Sequence, residues 1–210
     1  MKSTSRRFAT IAALALVPVL ALGQTATAAS QTITFKVRAS ALGQTADLTL
    51  DQGLDSSAPA SVASGGTFAV TLDPAPNTVP ASGGGRTISE INTIALKLPV
   101  PANSSFVSAT LAGGAGLGST PPTVAKVGND VVLSVKGPLK GGASFELPTV
   151  TINLKATGAS GSSVQTKLAG TSYDSPGLTF NAVVVVIFPI TAPAKAYPDP
   201  SPVLTTTAIS

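Results

Sequence analysis

Nine carboxylates, two tyrosines and a large pool of Ser, Thr and Lys side chains are the groups in this 210-residue chain that could act on a substrate, because it has no His, Cys or Trp. Without thiol or imidazole the chain alone cannot build a structural zinc site, a Cys nucleophile, a Ser-His-Asp triad, a His- or Cys-ligated haem or an iron–sulfur cluster. Disulfides are excluded as well. Four chemistries stay open: a carboxylate pair of the glycosidase kind, a Ser-Lys hydrolase, an oxygen-ligated Ca²⁺ site, and a sugar platform built on tyrosine.

The acids are Asp47, Asp51, Asp55, Asp73, Glu90, Asp130, Glu146, Asp174 and Asp199. Most lie within two residues of a Gly or Pro, where a short carboxylate ordinarily bonds its own turn backbone, and a turn role is the preferred reading for each. Asp51-Gln-Gly-Leu-Asp55, with Asp47 upstream, is the one acid cluster. Oxygen ligands around a Gly turn suit Ca²⁺, but no bidentate Glu follows at loop spacing and the EF-hand register is missing. No Ser-x-x-Lys occurs in the body of the chain, and the Gly-rich stretches at Gly83 and Gly113 are not followed by Lys-Ser/Thr, so neither reads as a phosphate loop. Tyr173 and Tyr197 are expected apart, in a loop and a tail, which disfavours polysaccharide binding. No catalytic, cofactor-binding or metal-binding residue is assigned, and no cofactor.

The elements that would position such groups are strands. From Gln31, Ile33, Phe35, Val37 and Ala39 alternate with Thr32, Thr34, Lys36 and Arg38, the period-two pattern of a strand with one wet face. Similar segments are expected at 46–50, 67–72, 93–98, 105–111, 123–127, 130–135, 149–156, 163–169 and 178–188. Gly-rich and Pro-Gly turns separate them, and Lys126 to Val131, with Gly128-Asn129 between two β-rich runs, is the strongest hairpin signal. The best helical exception is Thr87 to Asn92, where Ile88 and Ile91 are three apart and Thr87 and Glu90 fit a capping box; one or two turns are expected there. The apolar run Ala182 to Phe188 is expected to be central or covered. About ten strands with short loops and no helical crossovers predict an all-β fold, an antiparallel Ig-like β-sandwich with little helix.

Lys2, Arg6 and Arg7 precede an apolar run from Phe8 to Leu22, and Ala26-Thr27-Ala28 supplies small residues for a peptidase. These are the parts of a signal peptide over residues 1–28. Ser5-Arg6-Arg7 matches the twin-arginine pattern only in part, and general secretion is preferred. Residues 29–189 are expected to form the β-sandwich domain, with no transmembrane span once the leader is cleaved. Residues 190–210 are expected as a Pro/Thr-rich tail in which Pro193, Pro198, Pro200 and Pro202 prevent ladder pairing. Three of the 13 basic residues leave with the leader, so the remaining ten nearly balance nine acids. No basic cluster is left to bind nucleic acid. Ala21 to Ala26 recurs as Ala41 to Ala46, which is taken as coincidence, and Leu147-Pro148-Thr149-Val150 lacks the Gly, apolar helix and basic tail of a sortase signal.

Three stretches, Leu98-Pro-Val-Pro-Ala-Asn-Ser-Ser-Phe-Val-Ser-Ala-Thr110, Val127-Gly-Asn-Asp-Val-Val-Leu-Ser-Val135 and Gly141-Gly-Ala-Ser-Phe-Glu-Leu147 leading into Thr149-Val-Thr-Ile-Asn-Leu154, carry a resemblance. The region from Ser64 to Ala156 resembles the Ig-like surface-repeat, adhesin-type domains of secreted and wall-associated bacterial proteins. The whole chain resembles, more loosely, exported single-domain actinobacterial proteins. The resemblance implies an extracellular structural or binding module and carries over no catalytic residue; a single copy without a wall anchor departs from the surface-repeat pattern. The expected function is an exported, non-enzymatic module, secreted or envelope-associated, whose partner is an envelope component or another protein. That partner is reached through an edge strand, or is a lipid lodged between the sheets near Val183 to Phe188. The alternatives are a carboxylate- or Ser-based extracellular hydrolase and a structural envelope spacer.

Overall fold

The computed structural model describes residues 26–210, and side chains from residue 29 on. The leader signals at residues 1–25 lie outside the described residues, and Ala26–Ala28 already belong to the first strand. In chain order the strands are β1 (Ala26–Ala41), β2 (Gln44–Pro59), β3 (Ser61–Val62), β4 (Thr67–Pro74), β5 (Asn77–Thr78), β6 (Ser82–Gly83), β7 (Arg86–Pro99), β8 (Ser104–Ala112) and β9 (Thr123–Val127). They continue as β10 (Asp130–Val135), β11 (Leu139–Lys140), β12 (Ser144–Phe145), β13 (Thr149–Ala156), β14 (Ser163–Thr166), β15 (Leu178–Val185), β16 (Pro189–Pro198) and β17 (Thr205–Ile209). The described residues contain no helix.

Ten strands follow one another in a single antiparallel path, β8-β13-β4-β2-β1-β16-β15-β7-β10-β9, with β6 and β11 paired onto β7. One buried cluster joins Ile33, Phe35 and Val37 of β1 to Val70 of β4, Leu133 of β10 and Ile152 of β13, so the sheet folds over and encloses its own inner face. The end strands β8 and β9 come into contact without a ladder. The all-β antiparallel expectation holds. The order differs from an immunoglobulin domain, which divides its strands between two sheets; here two facing layers are made by one curled sheet.

The hairpin at Gly128-Asn129 forms as expected, with Asp130 opposite Val127 and Gly128 at φ 60°, the conformation its turn requires at the first central position. Thr87 to Asn92 is not helical. It lies in β7, whose pairing with β15 slips between Thr179/Asn181 and between Val183/Val184. Each slip inserts an unmatched residue and inverts the inside–outside parity. Ile88, Ile91 and Ile94 therefore reach the same interior, and two bulges produce the spacing of three that imitates a helix.

Residues 190–210 are not a separate tail. β16 is a central strand, antiparallel to β1 on one side and β15 on the other, and β17 pairs with β14 and, in parallel, with β3. Pro193 and Pro198 sit in these ladders, opposite Asn181 and Phe35. A proline forfeits one donor but keeps its carbonyl and a strand-compatible φ, and Ala192, Ala194 and Ala196 alternate inward and are buried. Packing on the inner face outweighs the lost donors. Where β14 meets β17, Thr166 stands opposite Thr205. Both hydroxyls are buried without a protein partner, and such a group costs about 1–3 kcal/mol of desolvation. Thr205→Val keeps the shape and removes the hydroxyl. It is expected to raise the unfolding free energy by about 1 kcal/mol, read as a higher urea midpoint at unchanged slope.

Candidate ligand-binding site

The acids that sequence spacing placed in turns are mostly on strand faces. Asp47, Asp51 and Asp55 all belong to β2 and are exposed, and four residue steps along the strand put Asp51 about 13 Å from Asp55. Gly53 between them is no turn. It lies in the strand and admits a close neighbour: a Cβ there would stand 3.0 Å from the Ala75 Cβ. Among the described residues no three acids gather to hold a metal ion. Asp55 faces Asp73 across β2 and β4, but both are exposed on the outer face. Asp51 and Asp73 instead accept hydrogen bonds from Thr34 and Thr149 hydroxyls, each at 2.6 Å.

A second cluster forms where none was expected. Tyr173 and Tyr197 meet with ring centroids 5.1 Å apart and planes at 76°, and the Arg38 guanidinium lies 4.1 Å above the Tyr173 ring. Arg38 donates two 2.7 Å hydrogen bonds to the Asp47 carboxylate. These hold Asp47 below its usual carboxylate range and raise Arg38. Lys36, 3.1 Å from Asp199, is raised by the hydrogen bond between them. An edge-to-face pair whose one ring is capped by a guanidinium is not the flat platform a pyranose stacks on. The cluster ties the outer faces of β1, β2 and β16 to the loop that carries Tyr173.

The site with the shape of a binding pocket is inside the sheet. An apolar cavity of about 450 Å³ opens between β1, β2, β7, β15 and β16, within the ~300–1,000 Å³ typical of small-molecule sites. Its walls are the inward positions of these strands, with Phe35, Leu50, Ile91, Leu96, Phe180 and Val184 among them. The void follows from residue size. Ala182 of β15 stands opposite Ala192 of β16, Ala39 and Ala41 continue this small-residue wall on β1, and all four line the cavity. Gln52, the polar group deepest on β2, is already committed: its amide donates to the Ala75 carbonyl at 2.7 Å and its oxygen accepts from Asn77 at 3.0 Å. Arg86 is the one charged side chain among the described lining residues.

Three hairpin tips surround the mouth. A Cβ on Gly84 would lie 3.0 Å from the Ala46 Cβ, joining the β6–β7 turn to the β1–β2 hairpin. Val185 opposite Thr87 joins it to the β15–β16 hairpin. The run Ala182 to Phe188, expected to be central or covered, is central as far as Val185, where β15 lies between β16 and β7, and then turns at this rim, leaving Ile187 89% and Phe188 65% exposed. Its apolar composition does not come from a buried strand with two covered faces. The hexapeptide Ala41 to Ala46 makes the β1–β2 tip, where Leu42 at φ 51° and Gly43 at φ 72° form a turn with two left-handed residues. Asn is usual at the first of these positions, and Leu42 is 77% exposed. The sequence signals for the cavity are the apolar run near Val183 to Phe188, where a lipid was expected between the sheets, and the inward alanines on β15 and β16.

No family model matches the chain, and no curated protein matches it. Among solved structures it is similar to a protein of Corynebacterium diphtheriae described as a "putative membrane anchored protein", with TM-score 0.53 and 16% identity. The likeness covers 88% of this chain and 38% of that one. The chain thus spans well under half of its structural neighbour, and what the two share is the fold.

Proposed function

We propose that this protein is an exported, envelope-associated binding module, not an enzyme, and that it holds an aliphatic chain of the kind envelope lipids carry inside its curled sheet. The apolar cavity between β1, β2, β7, β15 and β16 carries this reading. A dry hollow of this size gains little from water, which needs polar partners to stay, whereas an aliphatic chain gains roughly 25 cal/mol for each Å² it buries. The guanidinium of Arg86 at the mouth suits an anionic head left at the surface. The scattering of the acids over outer strand faces supports a non-enzymatic role, and the leader signals at residues 1–28 support export.

Ala192→Phe is the test, because it places a ring where Ala192 faces Ala182 across the wall. Filling a real void is tolerated, whereas the same change in a packed core costs about 1–3 kcal/mol. With cis-parinaric acid as fluorescent probe, the variant is expected to lose at least tenfold in affinity while keeping its far-UV circular dichroism and melting midpoint. Unchanged uptake by the folded variant, or no uptake by the parent chain, overturns the proposal.

A further inference from the structure

The three tips at the cavity mouth share a composition that the cavity alone does not need. Residues 41–46, 82–87 and 185–190 contain no Asp or Glu, and Arg86 is their single charge. Arg86 is exposed, and among the described residues no acid pairs with it. Leu42, Val186, Ile187 and Phe188 project there with exposures of 77%, 40%, 89% and 65%. Elsewhere among the described residues the large exposed hydrophobics are single side chains, Val107 on β8 and Val127 on β9. Isolated exposed apolar residues are ordinary, while several gathered at one end mark an interaction surface.

Register places the tips together and away from the rest. β1 runs toward the mouth, antiparallel to β16, with Phe35 opposite Pro198 at the end of β16 and Ala39 opposite Ala194 at its middle, so Leu42 and the 186–188 turn lie at the same end. The opposite end holds Ala26, where β1 begins, and the Gly128-Asn129 turn, since Asp130 pairs with Pro99 at the far end of β7. Leu42 and Val186 also line the cavity. Apolar surface therefore continues from the interior over the rim to the outermost side chains. A bilayer matches this in both respects: its hydrocarbon accepts the Leu, Ile and Phe side chains, and anionic headgroups meet a rim whose only charge is positive.

We infer that the protein docks tip-first on an anionic phospholipid bilayer, with Leu42, Ile187 and Phe188 entering the headgroup–acyl boundary and Arg86 on a lipid phosphate. The cavity mouth then opens onto the membrane instead of onto water. This adds to the cavity reading and is tested apart from it.

Because the chain has no Cys, one introduced thiol can be labelled uniquely. Full-length Leu42→Cys, Ile187→Cys and Val127→Cys, each carrying an NBD fluorophore, are mixed with phosphatidylcholine vesicles with and without phosphatidylglycerol. Emission is expected to brighten and shift to the blue at 42 and 187 and to stay unchanged at 127. Ile187→Ser with Phe188→Ser is expected to lower vesicle affinity about a hundredfold, tenfold for each side chain withdrawn from hydrocarbon. Arg86→Gln is expected to lower it about fivefold on phosphatidylglycerol vesicles and not on phosphatidylcholine alone. A response at 127 with none at 187 would mean that the other end docks, and overturns the inference. So does a shift at 187 that needs no vesicles and grows with protein concentration, the signature of a second copy, and so does silence at every position. Uptake of parinaric acid by the serine double variant separates the two readings: its retention leaves the cavity in place whatever the vesicles report.

Discussion

A chain ending before Pro189 is expected not to fold at all. The 22 residues removed contain β16 and β17, although all of them after Pro189 were expected to be a Pro/Thr-rich tail. Among the described residues β16 is the only strand joining the half of the sheet that runs from β8 to β1 with the half that runs from β15 to β9. Its loss unpairs β1 along Phe35 to Ala39 and β15 along Leu178 to Val185. It also uncovers one side of the core, which would lose Ala192, Ala194, Ala196, Leu204 and Ile209. Domains of this size hold about 5–15 kcal/mol in all, and a central strand with its inward face exceeds that margin. The truncated chain should show no cooperative transition in urea. A sharp transition with the parent's slope would mean that the two halves of the sheet close without β16.

The largest single-residue effect is expected at Gly177. Its amide donates to the Ala196 carbonyl at 2.9 Å, and its carbonyl accepts from the Lys97 amide at 2.8 Å. This residue thus bridges β16 and β7 where β15 begins. A Cβ there would overlap the carbonyl of Ala169, which is backbone and is itself fixed, because the Ala169 amide donates to Lys97. The φ of Gly177 is not left-handed, so the requirement is for space alone. Gly177→Ala is expected to lose about 3–5 kcal/mol, in the range reserved for strain and broken networks. Gly65→Ala provides the contrast. At φ 76° with nothing within 4 Å, it should lose only about 1–2 kcal/mol, the ordinary cost of a left-handed alanine. Equal losses in urea titrations would show that the close approach at Ala169 relaxes freely.

What was legible in the chain was whatever obeyed a single period. β9, β10 and β13 have the ends that alternation and turn residues gave them, because each is unbulged over its length or, like β13, slips only in its pairing with β8 at Asn153/Leu154. Sequence patterns failed where two rules competed. In β7 the bulges convert period two into an apparent three. In β16 the prolines read as breakers, although every second residue from Ala192 to Ala196 is an inward alanine. At Val185 to Phe188 composition implied burial, whereas position at a hairpin tip decides exposure. The acids drew attention because their chemistry is individually recognisable. The cavity was legible only as a lipid site expected between the sheets near Val183 to Phe188, and Val184 and Val186 do line it; its extent was not legible, since it is an absence of volume shared among many aliphatic side chains.

The seam between β1 and β16 also sets a tempo. Phe35 pairs with Pro198 in the ladder, and just beyond it the Gln31 amide reaches the Val203 carbonyl across 172 positions of chain, so residues from opposite ends of the described chain meet at this seam. Pairings of such separation must overcome loop closure before any contact rewards it, and topologies dominated by them take milliseconds to seconds or longer. Throughout that wait the long first hairpin carries an unsatisfied ladder edge along β1, the kind of edge that recruits stray strands from other molecules. Refolding yield should therefore fall as the concentration of newly diluted chains rises, and a binder that caps the β1 edge would act as a chaperone for this protein.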